Sequence, residues 1–161
     1  MKQPKPSAPA GVPEGTVQLG GPIDWFLASL QVNGDDLDPD QITRLLEHEP
    51  TRTQQRGVPQ LRPDGTVRHT PRFGRWARDL KPSQTDEWDI KEVVDLLFEG
   101  LPRDLSVWEQ VAALGRIRVT FGLNIPTSNR EFELDRDLMR FLSERQASIW
   151  FDIYCEQADE G

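Results

Sequence analysis

The run R-I-R-V-T-F-G-L-N, residues 116–124, sets Ile117, Val119, Phe121 and Leu123 in strict alternation with Arg116, Arg118, Thr120 and Gly122. Successive side chains of a strand point to opposite faces, so this pattern reads as a strand with one core face and one wet face. A sheet made of such strands needs covering on one side only. Residues 23–32, I-D-W-F-L-A-S-L-Q-V, are apolar in both phases and close at Asn33-Gly34, which predicts a central strand followed by a turn. The last strand, 147–155, puts Ile149, Phe151, Ile153 and Cys155 on one face and Trp150 and Tyr154 on the other. Residues 73–77 predict a further strand, and Phe132 with Leu134 a short one.

Between these strands the chain carries helix signals. Asp38 precedes Pro39, with Gln41 three residues on: an N-cap, a proline suited to the first helical turn and a capping-box partner. Leu37 and Ile42 are placed as a hydrophobic staple, the stripe Ile42, Leu45 and Leu46 follows, and Pro50 ends the helix. Residues 51–82 are Arg-rich and broken by Pro59, Pro63, Gly65 and Pro71, and are expected to be irregular apart from the strand at 73–77. Ile90, Val93, Val94, Leu97, Phe98 and Leu101 follow helical spacing, predicting an amphipathic helix over 85–99. Ser106 and Glu109 form the capping box of the next helix, with Val107, Trp108, Val111 and Ala112 on its apolar face and Gly115 suited to a left-handed cap. Asp135 caps a last helix expected to bury Leu138, Met139, Phe141 and Leu142, with Leu134 and Met139 as its staple. The approximate order βαβααββαβ predicts an α+β fold: a single mostly antiparallel or mixed sheet with helices packed on one side.

The 161 residues suit one domain, expected over 23–156, between a disordered Pro-rich tail at 1–22 and an acidic end at 157–161. Formal charge is −8, which argues against a general affinity for nucleic acid or anionic membranes. No apolar run reaches the roughly 18–20 residues that span a bilayer, and residues 1–21 lack the apolar centre of a secretory signal. Cys155 is the single cysteine, so one chain can form neither an internal disulfide nor a zinc site of several thiolates. A cytoplasmic location is expected.

The stretch G-D-D-L-D-P-D-Q-I-T-R-L-L from Gly34 to Leu46, E-P-T-R from Glu49 to Arg52, Gly57, and Gly74-x-Trp76 resemble the bacterial domain-of-unknown-function family numbered 4279. L-P-R-D-L-S-V-W from Leu101 to Trp108 and D-I-Y from Asp152 to Tyr154 are similar to its second half. The likeness covers roughly residues 24–154. It implies small, often free-standing bacterial proteins with no assigned chemistry, so it carries no catalytic residue over.

Asp36, Asp38, Asp40 and Glu47 match four positions of a calcium loop. Gln41 stands where that loop needs glycine, however, and Pro39 interrupts it. Gly34, Asp36, Asp38 and Pro39 are therefore read as a structural motif that starts a helix, and no metal or cofactor is expected. His48 and His69 lie in no catalytic or metal-binding context, and Cys155 reads as a small buried hydrophobe. The charge pattern is more informative. Eight basic residues between positions 52 and 81 meet only Asp64 and Asp79, giving +6 locally, while 24–50 and 83–114 are each −6. These arginines can pair with the flanking carboxylates, or can form a site in which Arg52, Arg56, Arg72, Arg75 and Arg78, with Trp76 nearby, grip an anion, a nucleic acid or a partner. Trp150 and Tyr154 are candidate interface anchors.

Three functional readings follow. The first is a non-enzymatic protein-binding module, extending to an immunity-type neutraliser of a basic toxin. The second is a small-anion or nucleic-acid binder using the Arg-rich segment 52–81. The third is a carboxylate-based enzyme using Asp35 and Asp36.

Overall fold

The computed structural model describes residues 26–83, 89–125 and 132–155. The expected tail, the acidic end, the first residues of the first strand and the start of the helix expected at 85–99 lie outside them. In chain order the elements are β1 (Phe26–Gly34), α1 (Pro39–Leu46), β2 (Arg52–Gln54), β3 (Gln60–Leu61), β4 (Val67–His69), β5 (Gly74–Ser83), α2 (Ile90–Phe98), α3 (Leu105–Leu114), β6 (Arg116–Ile125), α4 (Arg136–Glu144) and β7 (Ser148–Cys155). Five strands make one mixed sheet in the order β2-β5-β1-β6-β7, and β3 pairs with β4 in a separate ribbon. The fold is α+β, with the helices on one side of the sheet.

As its two apolar phases imply, β1 is central, antiparallel to β5 on one side and β6 on the other. Its inward residues Ala28, Leu30 and Val32 are fully buried, and so are Val119, Phe121 and Leu123 of β6, with Ile117 nearly so. The helices close over this face with Ile42 and Leu46 from α1, Val94 and Leu97 from α2, Trp108 and Val111 from α3, and Leu138 and Leu142 from α4. At roughly 1.5–3 kcal/mol for each fully buried aliphatic or aromatic side chain, this apolar layer is the dominant favourable contribution to folding. The parallel pairing of β7 with β6 follows from the connection: a strand that returns through α4 enters in the same direction.

Each helix begins at an aspartate. The Asp38, Asp89 and Asp104 carboxylates accept from the amides of Asp40, Lys91 and Ser106, and Asp135 accepts from that of Leu138. Two helix starts therefore differ from the sequence reading. α2 begins at Ile90, because Asp89 is extended and caps it, and α3 begins at Leu105 because Asp104, rather than Ser106, takes the cap. α1 ends at Leu46, short of Pro50, with Glu47 in the left-handed region at φ 50°.

The segment expected to be irregular holds three short strands and a β5 that runs on to Ser83. Pro82 is tolerated because a bulge lies there: Ala28 pairs with Leu80 and Phe26 with Ser83, so Leu27 alone faces Lys81 and Pro82. Phe132 and Leu134 are not in a strand. Phe132 instead stacks on Phe151, with ring centroids 4.8 Å apart. Met139 is exposed, so the expected Leu134–Met139 staple does not form in the core. β7 is an edge strand under incomplete cover, which leaves Ile153 exposed despite its inward phase.

Gly115 is extended, at φ −174°, and not left-handed. Its need for glycine is steric, since a Cβ there would stand 2.8 Å from the Asn33 carbonyl oxygen and 3.2 Å from Leu37 Cδ1. Gly34 and Gly74 pair across β1 and β5 beneath the same residue, and a Cβ on Gly74 would overlap the Leu37 carbonyl. Gly74→Ala is expected to cost about 1–3 kcal/mol in denaturant melts, the scale of an overpacked core. Asp38→Ala should cost about 0.5–2 kcal/mol through its lost cap. Because α1 occupies the place where a calcium loop would curl, added calcium should leave the melting temperature unchanged. A calcium-dependent rise abolished by Asp36→Asn and Glu47→Gln would contradict this.

Candidate functional site

Residues paired directly across neighbouring strands share a face, so the register assigns the side of the sheet opposite the helices. One row across it is Gln54, Arg75, Asn33 and Arg116. The next is Arg52, Ala77, Gln31, Arg118 and Ser148, and a third holds Asp79, Ser29, Thr120 and Trp150. With strands about 4.8 Å apart, Arg75 and Arg116 flank Asn33 at a backbone separation of about 10 Å. This face is polar and cationic, and no helix packs on it among the described residues.

Its arginines are held differently. Arg52 donates through Nη2 to Asp79 Oδ1 at 2.9 Å and through Nε to Oδ2, and the Thr51 hydroxyl donates to the same carboxylate at 2.9 Å. Burial alone would push the Asp79 carboxyl up, but the bonds from Arg52, Ser29 and Thr51 together hold it below the usual carboxylate range. Arg75 donates through Nε to Asn33 Oδ1 at 2.7 Å and lies over the Phe73 ring. Burial lowers its pKa, as does repulsion from Arg52 and Arg118, against the pull of Asp79. Arg118 lies with its guanidinium carbon 4.3 Å from the centroid of the Trp150 ring. Its Nε is buried without a hydrogen-bond partner among the described residues. Among the described residues neither Arg116 nor Arg118 is in an ion pair.

The Arg-rich segment is thus not one surface. Arg52 and Arg75 reach the open face, whereas Arg78 pairs with Leu30 on the helix side and donates to the Glu99 carbonyl oxygen at 2.6 Å. Arg56 bonds Asp36 at 3.0 Å, and Arg72 is exposed. Trp76 is corrected outright: it is fully buried, its indole N–H donates to Thr43 Oγ1 at 3.1 Å, and it is core rather than contact surface. Trp150 and Tyr154 stand 51% and 55% exposed on the outer face of β7, with the Tyr154 hydroxyl donating to Asp152 at 2.6 Å. Gly34, Asp38 and Pro39 serve the turn into α1. His48 bonds the Glu49 carbonyl, His69 is exposed on β4, and the side chain of Cys155 lies outside the described residues.

Arg116 and Arg118 were not among the sequence candidates. Their signal was present as the wet phase of the 116–124 alternation, but their meeting with Arg75 requires β1 to lie between β5 and β6. One cleft of about 650 Å³ joins Asn33, Asp35, Phe73, Arg75, Arg116 and Arg118 at this end of the sheet.

The Arg52–Asp79 pair fastens β2 to the sheet and carries a pH signature. A carboxyl held low in the folded state contributes fully above its unfolded value of about 3.9 and loses that contribution as pH falls through the lower folded value. Asp79→Asn is therefore expected to cost about 1–3 kcal/mol at neutral pH. In thermal melts the gap from wild type should close below about pH 4; a gap constant from neutral pH to pH 3 would refute the assignment.

A family model described as a domain of unknown function (DUF4279) matches residues 24–156. No curated protein and no solved structure matches the chain. The matched region encloses the whole sheet, all four helices and the three-glycine junction around Leu37, and the chain belongs to the DUF4279 family.

Proposed function

We propose that the protein is a non-enzymatic binding module that engages a protein partner through the uncovered face of its sheet. The observation that carries this reading is the presence of Trp150 and Tyr154 on that face, each about half exposed, with the Arg118 guanidinium over the first. Tryptophan, tyrosine and arginine are the residues that most often anchor protein interfaces, because each combines a large apolar area with a polar handle. Half exposure costs solvation that a partner would recover on covering them. The carboxylates favour catalysis less. Asp35 and Asp36 stand exposed at the β1–α1 turn, and Asp36 is paired with Arg56. A single cysteine fits a reducing, cytoplasmic setting.

A second reading, a neutraliser of a basic toxin, draws on the opposite side of the molecule. Glu92, Asp95, Glu99, Asp104 and Glu109 are all exposed on or beside α2 and α3, and such an acidic layer would speed encounter with a basic partner.

The two surfaces can be separated by mutation. Trp150→Ala and Tyr154→Ala are each expected to weaken a captured partner about thirtyfold in titration calorimetry, the scale of an anchor worth about 2 kcal/mol. Asp95→Lys with Glu99→Lys should leave that affinity unchanged. The reverse pattern would transfer the function to the helical layer.

A further inference from the structure

We propose that the cleft between the start of β6 and the ends of β1 and α3 is an anion site for the dianionic phosphate of a small phosphate monoester, gripped by Arg75, Arg116 and Arg118. The charge count selects the ligand class. The charged residues lining the cleft are these three arginines and Asp35, an excess of two positive charges. The C-terminal end of α3 forms another wall, but a helix end offers only about half a negative charge, too little to balance the excess. Counting that half charge, the excess is about one and a half, which a phosphate monoester carrying about −1.5 to −2 at neutral pH cancels and a monocarboxylate does not.

The donors are partly set in place. Asn33 holds Arg75 through Nε alone, leaving its two terminal nitrogens for a ligand. The Trp150 ring holds the guanidinium group of Arg118 in place, and among the described residues Arg118 is in no ion pair. Arg116 is exposed on the far side of Asn33 from Arg75, so the two guanidinium groups can converge above that residue. Planar guanidinium forks match phosphate oxygens in pairs, and a cleft of about 650 Å³ is of a size to admit a small organic phosphate. Mutual repulsion between Arg75 and Arg118 is the cost of bringing them together, and a bound anion would relieve it. Tyr154 lies six residues along β7 from Ser148, which pairs with Arg118, or about 20 Å away. The anion site shares the Trp150–Arg118 contact with the proposed partner surface, and Tyr154, which lies outside it, tells the failure of one reading from that of the other.

The full chain would be titrated by calorimetry with inorganic phosphate and with a nucleoside monophosphate, against acetate and sodium chloride at matched ionic strength. Saturable one-to-one binding of both phosphates is expected, with acetate at least about tenfold weaker. Arg116→Ala and Arg118→Ala should each weaken phosphate binding by about tenfold or more, the loss expected for one charge-assisted donor, while Tyr154→Ala should leave it unchanged. Because Arg116 is exposed, its substitution keeps the test valid even if an Arg118 variant fails to fold. Absence of saturable binding, acetate binding equal to phosphate, or an Arg116→Ala protein that titrates like wild type would overturn the proposal.

Discussion

Where Leu37 crosses the end of the sheet, backbone packs on backbone so closely that three positions have no room for a side chain: the Leu37 carbonyl blocks Gly74, the Leu114 carbonyl blocks Gly34 and the Asn33 carbonyl blocks Gly115. Gly34 ends β1, Gly74 begins β5 opposite it, and Gly115 joins α3 to β6; a Cβ on any of them would meet backbone at 2.8 Å or less. This close approach turns β1 into α1 and brings the α3–β6 junction beside the β1–β5 pair. Asp38 and Pro39 follow at once and start α1, whose Thr43 hydroxyl accepts the indole N–H of Trp76 from β5. The residues that carry the family resemblance around Gly34–Leu46 and Gly74-x-Trp76 are thus parts of one structural joint. The segment from Leu101 to Trp108 has a local structural role of its own: Asp104 caps α3 and the Trp108 indole donates to the Pro102 carbonyl at 2.9 Å.

A polarised molecule follows from that joint. With all four helices on one side, their exposed faces carry much of the negative charge, including the capping aspartates. The bare side of the sheet keeps Arg75, Arg116 and Arg118 beside Trp150. Net charge of −8 therefore describes neither surface: an overall repulsion of anions coexists with a local concentration of guanidinium groups.

Much of the fold was legible because its signals are local. The strict alternation of 116–124 depends only on the pleat, and the apolar spacing of Ile90, Val93, Val94, Leu97 and Phe98 only on the helical repeat. The start of α1 was readable for the same reason, since an aspartate before a proline satisfies orphan amides within one turn. The errors arose where tertiary structure overrides local preference. Pro82 continues a strand because a bulge in the β1 pairing receives it. Met139 stays exposed, and Phe132 lies in coil against Phe151 because an edge strand leaves that ring uncovered.

By itself, then, the sequence determined the four helices and the long strands β1, β5, β6 and β7, the apolar stripe of α1, α2 and α3, and that one face of β6 is wet. Only the tertiary structure decided which arginines meet. Arg52, Arg56, Arg75 and Arg78 are neighbours along the chain, yet they separate to the open face, an ion pair with Asp36 and the Glu99 carbonyl. Arg116 and Arg118, some forty residues further on, join Arg75 instead. The physical reason is strand order: pairing sets side chains together across about 5 Å of hydrogen-bonded backbone, and which strand comes to lie beside β1 is decided by long-range packing, which leaves no trace in local spacing.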